Sequence, residues 1–385
     1  MSRAFRVSLL FAVACGKPEI TPDKEPKGEP YGPTTEGQGT LRSDSVTFTT
    51  EANSRYVINV DVERGETDML LTLTTGDEAN HVYFYQVIDP EGTLVYDGDK
   101  QFHKTESLSY ACWPDQVSSL NWPIVDDHGA LREGRWSIVV STLDARTWNY
   151  KGGVEVRLDA AFSQDPSFDA GSLTVNMVYT GGLQDDASLV EAVAVAEERW
   201  RQIYAAVGVD VVFTTTSWPG DGLWEPPSVG SYDQYEEVMA NNEPGVLNLV
   251  LVPEFSGQGG QWTLGLAGGI PGAMVPTAYS AVAVNVAAHM GPDLVWDDEE
   301  VRIMAGTMAH ELGHYLGMFH PVEDGYQYWD ALDDTPPCST RQECDAQLGS
   351  NLMYWITLCD RQGCDPQEDL TADQKGVMQR YVGVE

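Results

Sequence analysis

Basic residues are scarce in this chain. Its 22 Lys and Arg stand against 59 Asp and Glu, a formal net charge of −37. A surface of that sign repels phosphate backbones and anionic head groups, which argues against nucleic acid and against direct adhesion to an anionic bilayer. Long apolar runs are missing too. The early stretch from Val7 to Ala14 is too short to span a bilayer as a helix, and nothing later is apolar for long enough. Cysteine is limited to 6 residues and histidine to 7, so each can be weighed individually. Carboxylates are what the chain has in plenty. Most read as solvated surface, and a few could hold calcium. At 385 residues there is room for two globular domains with separate cores.

The first fifteen residues read as an export signal, with Arg3 and Arg6 ahead of the short apolar run. The run ends in Ala12-Val13-Ala14-Cys15-Gly16, which resembles a bacterial lipoprotein signal, although Ala12 stands where that signal usually has Leu. The resemblance implies that Cys15 is lipidated and becomes the mature N-terminus; the alternative is an ordinary secretory signal. Residues 16–39, rich in Pro, Gly, Glu, Lys and Thr, cannot bury enough surface to fold and read as a flexible tether. The expected location is therefore outside the cytoplasm, as an envelope lipoprotein or an extracellular protein, with membrane contact only through an N-terminal lipid. Cys338, Cys344, Cys359 and Cys364 cluster near the C-terminus and suit two disulfides in an exported protein. Four cysteines allow three pairings, and spacing does not choose among them. Cys112 is then left over.

From about residue 40 to 162 the apolar period is two. Tyr56, Ile58, Val60 and Val62 alternate, and Met69–Leu73, Val82–Ile88, Trp136–Val140 and Val154–Leu158 read as further strands separated by turn signals such as Asp89-Pro90-Glu91-Gly92. Short strands without helical stretches predict an antiparallel sandwich. Asp89-Pro90-Glu91-Gly92-Thr93 followed by Glu133-Gly134-Arg135-Trp136 resembles the pre-peptidase C-terminal domain, which implies a jelly-roll-like accessory module. The alternative is an unassigned β-sandwich.

Residues 163–385 are mixed. Leu173–Tyr179 reads as a strand. A helix capped by Asp185 or Asp186 carries Leu189, Val193, Ala196, Trp200, Ile203 and Val207, and Gly208 stops it. Val209–Phe213 and Val246–Val252 read as strands buried on both faces, and Ala281–Ala287 as another. A second helix starts near Asp297 and runs through Val301, Met304, Met308 and Leu312 into His310-Glu311-Leu312-Gly313-His314-Tyr315-Leu316-Gly317-Met318-Phe319-His320. His310 and His314, four apart, share one helix face. Gly317 can break the helix so that His320 turns back toward them. Three histidines with an open fourth position are the arrangement of a catalytic zinc, with Glu311 placed to reach a zinc-activated water. A chance surface pattern is the alternative for two histidines, less so for the whole stretch.

This HExxHxxGxxH pattern is the metzincin signature. The resemblance implies an α+β catalytic domain after the all-β sandwich, zinc on His310, His314 and His320, and Glu311 as general base. It also implies that Leu264-Gly265-Leu266-Ala267 forms an edge strand above the cleft, where a Gly-rich loop is the alternative. Asn351-Leu352-Met353 looks like the Met-turn, with Met353 as an apolar floor. Together with Asp333-Asp334-Thr335-Pro336 and Cys338 it resembles the pappalysin branch. That branch implies a secreted endopeptidase acting on a protein or peptide substrate, with Asp333 and Asp334 as candidate calcium ligands. Where the branch has a tyrosine that stabilises the tetrahedral intermediate, this chain has Trp355, with Tyr354 one residue early. Cys112-Trp113-Pro114-Asp115 is loosely similar to a cysteine switch, which makes Cys112 a candidate latency thiol; the plain alternative is a buried free cysteine. A function of another class, a surface-anchored binding or adhesion lipoprotein that uses a peptidase fold without turnover, fits less well because it needs no general base. Thr371 and Gln374 are spaced as the capping box of a last helix.

Overall fold

The computed structural model of the chain describes residues 42–51, 55–101, 106–164, 168–218, 223–224, 246–255, 262–277, 279–359 and 363–384. The export signal, Cys15, the tether at 16–39 and His103 lie outside the described residues. Among those described, no helix is long and apolar enough to cross a membrane.

The N-terminal half is mostly sheet, with one short helix at Gly98–Gln101 and a 3-10 turn at Asp126–His128. Its strands are β1 (Arg42–Thr49), β2 (Tyr56–Val62), β3 (Asp68–Thr75), β4 (Asn80–Ile88), β5 (Leu94–Asp97), β6 (Glu106–Ser107), β7 (Val117–Trp122), β8 (Gly134–Asp144) and β9 (Glu155–Ser163). They form two antiparallel four-stranded sheets, ordered β1-β9-β3-β7 and β2-β8-β4-β5. Alternation explains the pairing of faces. Ile58, Val60 and Val62 of β2 and Trp136, Ile138 and Val140 of β8 meet Leu71 and Leu73 of β3 and Val156 and Leu158 of β9 in one core. Strands β1 and β7 carry too few apolar residues, and β5 is too short, to announce themselves in the sequence. In β7, Ser118, Ser119 and Asn121 are nevertheless buried.

Ser118 donates to Ala111 O and Ser119 bonds the Thr72 hydroxyl, while Asn121 is covered by the C-terminal segment. Asn121 donates from Nδ2 to the Arg380 carbonyl (2.6 Å), and its Oδ1 accepts from the Val382 N–H (3.2 Å). A buried amide with donor and acceptor both satisfied fixes how the two halves meet. Across the same boundary Tyr110 N–H donates to Ile270 O (3.0 Å), and β6 pairs with β17 (Trp329–Asp330).

The C-terminal half is built on β10 (Gly171–Tyr179), β11 (Val209–Ser217), β13 (Leu247–Val252), β15 (Gly265–Ala267) and β16 (Val282–Asn285), with β12 (Leu223–Trp224) and β14 (Glu254–Phe255) pairing separately. The sheet order is β11-β10-β13-β16-β15; all pairs are parallel except β15–β16. Strand β13, at the centre of the sheet, is buried along its whole length, as its nearly unbroken apolar run predicts. Strand β11 is not. Only Val209 and Val211 are buried, because the strand lies at the outer edge of the sheet and one of its faces meets solvent. The strand expected over Ala281–Ala287 is shorter as well, since Val286–His289 turn into a short helix.

Two long helices pack together against this sheet. Helix Ala187–Ala205 is capped by Asp186, whose Oδ1 accepts from Ser188 N (2.9 Å) and Leu189 N (3.2 Å). The motif helix, Asp298–Tyr315, starts from a capping box. Asp297 accepts from Glu299 and Glu300 N–H (both 2.9 Å), and Glu300 Oε2 accepts from Asp297 N (3.1 Å). Tyr204 O–H donates to Ala309 O (2.8 Å), tying one helix to the other one residue before the first motif histidine.

Candidate metal centre

His310 and His314 leave the last turns of the motif helix on one face, as the spacing predicts. The helix ends at Tyr315, and Gly317 takes φ +107°, a conformation that costs other residues but not glycine. The turn closes through Met318 N–H to Gly313 O (3.0 Å), and His320 comes back against the helix. The Nε2 atoms of His310 and His314 each lie 3.1 Å from Nε2 of His320. Zinc–nitrogen bonds of about 2.0–2.1 Å in a tetrahedron place nitrogens roughly 3.3–3.4 Å apart, so the donor set fits zinc with little adjustment. Among the described residues, this is the one group of three or more His, Cys, Asp or Glu whose ligand atoms converge.

Each ring is held by its other nitrogen. His310 Nδ1 meets Leu352 O (2.7 Å), His314 Nδ1 meets Met318 O (2.7 Å), and His320 Nδ1 meets Glu323 Oε2 (2.9 Å). With Nδ1–H donating, Nε2 keeps its lone pair for a metal. Burial pushes His310 down to about 3 and His314 well below the ordinary histidine value, so both rings are neutral ligands at physiological pH. Glu323 escaped the sequence reading. Its position three residues past His320 was the available signal, among many surface acids. Replacing Glu323 with Ala is expected to weaken zinc binding about 10–100-fold, read by chelator competition.

Glu311 is fully buried, and neither carboxylate oxygen has a hydrogen-bond partner. Burial pushes it up to about 8. A dication a few ångström away acts in the opposite sense. Gly265 of β15 lies against it: a Cβ there would come 2.5 Å from Glu311 Cγ and 3.0 Å from Oε1. Nothing in the local pattern Leu264-Gly265-Leu266-Ala267 signals that this glycine makes room for the carboxylate.

Met353 is buried beneath the helix. A Cβ on Gly313 would come 2.6 Å from Met353 Sδ and 2.6 Å from Met318 Cε, so the glycine inside the motif lets both methionine side chains pack close against the helix. The turn carrying Met353 is held by Asn351, which accepts from Met353 N (2.9 Å) and exchanges amide hydrogen bonds with Gln374. Gln374 also closes the capping box with Thr371 at the start of the last helix, Ala372–Gln379. The box thereby braces the turn that bears Leu352 O, the acceptor for His310.

Other expected site residues are placed elsewhere. Trp355 is buried in a small core with Val322, Cys338, Cys344 and Ile356, and Tyr354 O–H donates to Asp345 Oδ1 (2.7 Å). The Trp355 Nε1 has no hydrogen-bond partner, whereas the Tyr354 hydroxyl is engaged by Asp345. Cys112 sits in the N-terminal core, its sulfur 3.9 Å from Ser109 O and outside the histidine cluster. Apolar surroundings push the thiol up to about 11, against the thiolate a latency ligand needs. The disulfides pair Cys338 with Cys344 and Cys359 with Cys364. Asp333 and Asp334 are exposed; Asp334 accepts from Asp373 N (2.9 Å). Nearby Asp330 is buried and pushed up to about 7, mainly by that burial, with Oδ2 lacking a partner. The remaining described histidines lie outside the cluster: His289 is satisfied by Asn285 O (2.7 Å) and Thr307 Oγ1 (2.9 Å), while His128 stacks on Trp122.

No family model matches the chain, and no curated protein matches it either. Among solved structures, it is similar to archaemetzincin from Methanopyrus kandleri, with 18% identity, 48% of this chain and 96% of that one covered, and a TM-score of 0.28. Metalloproteinase-II from Bacteroides fragilis is similar at 13% identity, covering 58% of this chain and 62% of that one, with a TM-score of 0.33. PliG from Aeromonas hydrophila, a periplasmic inhibitor of g-type lysozyme, is similar at 16% identity over 36% of this chain and 100% of its own, with a TM-score of 0.19. TM-scores this low leave the functional reading to the chain's own residues.

Proposed function

We propose that the chain is a zinc-dependent endopeptidase of the pappalysin-like metzincins, exported and held at the cell envelope by lipid on Cys15. The observation that carries the reading is the buried Glu311 carboxylate, without a partner, beside three converging imidazoles. A desolvated carboxylate is costly unless something uses it. Zinc on His310, His314 and His320 would acidify water and polarise a carbonyl. Glu311 then takes a proton from the attacking water and returns it to the departing amine, a base and afterwards an acid. The outer edge of β15 offers backbone groups to an extended peptide, which would lay the bond to be cut beside Glu311. A small cavity of about 40 Å³ lined by Arg302, Thr307, His310, Glu311 and Tyr354 adjoins the same carboxylate.

In this reading residues 40–162 form a jelly-roll accessory domain and 163–385 the catalytic domain. The strand orders β1-β9-β3-β7 and β2-β8-β4-β5 support the first, since they are those of two interlocked Greek keys once β6 is set aside. Two disulfides suit an oxidising compartment. Calcium near Asp330, Asp333, Asp334 and Asp373 would offset the burial, and after it the neighbouring carboxylates, that raise Asp330 and Asp373. The test is cleavage of an unfolded protein by the zinc-loaded chain beside Glu311→Ala. Loss of general acid–base catalysis predicts a fall of about 10²–10⁴ in kcat with zinc content unchanged. Equal cleavage by both proteins would refute the assignment, and cleavage by neither would favour a binding protein.

A further inference from the structure

A row of aromatic rings leads from the N-terminal half to the metal centre. Trp148 lies in the turn after β8, 38% exposed and at φ +58°, a left-handed conformation that bulky residues seldom adopt. The ring of Trp148 meets that of Trp113 edge-on, centroids 5.9 Å apart. Trp113 meets Tyr110 at 5.6 Å, and Tyr110 meets Phe319 at 6.5 Å. Phe319 immediately precedes the ligand His320. Trp113, Tyr110 and Phe319 are each only partly buried, so the row keeps a solvent-facing side. The row also connects to β15. That strand runs from Gly265, against Glu311, to Ala267, and three residues on Ile270 O accepts the Tyr110 N–H.

We propose that this row is an exosite for the substrate polypeptide, gripping the flank that emerges from the β15 edge. The proposal rests on the endopeptidase reading of the centre and deepens it. An extended chain paired on β15 would be led past Ile270 onto Tyr110, and the row is long enough for about five extended residues. Aromatic faces select flat or ring-bearing side chains and the polyproline conformation, which lies in aromatic-lined grooves without an ordering cost. The chain's net charge of −37 disfavours acidic flanks and favours basic ones. The preferred substrate is thus an unfolded polypeptide whose flank is rich in Pro, aromatic residues and Lys or Arg. Trp148 supplies the outermost contact: its ring packs edge-on against His81 and Trp113 and stays 38% exposed, at a backbone conformation where a small polar residue would fit with less strain.

The test uses the full chain and two fluorogenic peptides with one cleaved core, the second extended at both ends by Pro, Tyr and Lys residues. The extension is expected to raise kcat/KM about tenfold, the scale of one or two aromatic contacts. Trp148→Ala should remove that gain, and Trp148→Phe should keep most of it. Binding of the extended peptide to Glu311→Ala, followed by fluorescence, should weaken about tenfold when Trp148→Ala is added. A gain that survives Trp148→Ala, or no gain at all, overturns the exosite. So does binding of oligosaccharides in place of the extended peptide. Trp148-dependent peptide binding without cleavage of either peptide would uphold the exosite and refute the endopeptidase reading instead.

Discussion

Zinc added to metal-free protein is expected to raise the free energy of unfolding by about 4 kcal/mol when free zinc is a thousand times its Kd. Only the folded chain brings His320 to within 3.1 Å of both His310 and His314, ten and six residues away in sequence. The unfolded chain has no such site, so the binding energy becomes folding energy. Little of it is spent on preparing the ligands. Leu352 O, Met318 O and Glu323 already orient the three rings, and burial holds His310 and His314 neutral, so zinc displaces no proton from either at pH 7. Chemical denaturation of chelated and zinc-loaded samples measures the effect. His320→Ala should abolish the difference, and a zinc-independent midpoint in the parent chain would count against the site.

The second large effect concerns Gly265. Its replacement by Ala is expected to lower kcat a hundredfold or more without loss of zinc. The new methyl would fall 2.5 Å from Glu311 Cγ and 3.0 Å from Oε1, far inside contact distance, so the Glu311 carboxylate, the proposed general base, must move. A displacement of about 1 Å at a reacting group costs on the order of 10²-fold. The zinc ligands approach from the helix and from the His320 turn, away from this contact, so metal content should hold. Activity near the parent level in Gly265→Ala would mean that Glu311 does not act from the position it occupies here.

How much of this was legible depended on whether the cause was local. The histidine stretch could be read directly, because i,i+4 geometry and a glycine turn are properties of neighbouring residues. Asp186, Asp297 and the Thr371–Gln374 box announced helix starts for the same reason. Strand β13 advertised its central position through a nearly unbroken apolar run. What failed was decided by distant parts of the chain. β11 looked buried on both faces, but its place at the sheet edge was set by the order of strands. β7 does not read as a strand at all, and the C-terminal segment that meets its Asn121 lies some 260 residues on, with separations of 259 and 261 for the two Asn121 bonds. Trp355 sat at the right distance from Met353 to suggest a cleft residue, yet the fold turns it toward the Cys338–Cys344 disulfide. The pairing of the four cysteines was equally closed to spacing alone.

The most direct test of the central claim is X-ray absorption at the zinc edge of the purified chain, together with metal content. Three imidazole nitrogens at about 2.0–2.1 Å plus one light oxygen ligand, at one zinc per chain, is the result predicted for His310, His314 and His320 with a position left open for chemistry. A sulfur at about 2.3 Å would show Cys112 at the metal, and four protein ligands would describe a closed structural site. Either result would contradict the account.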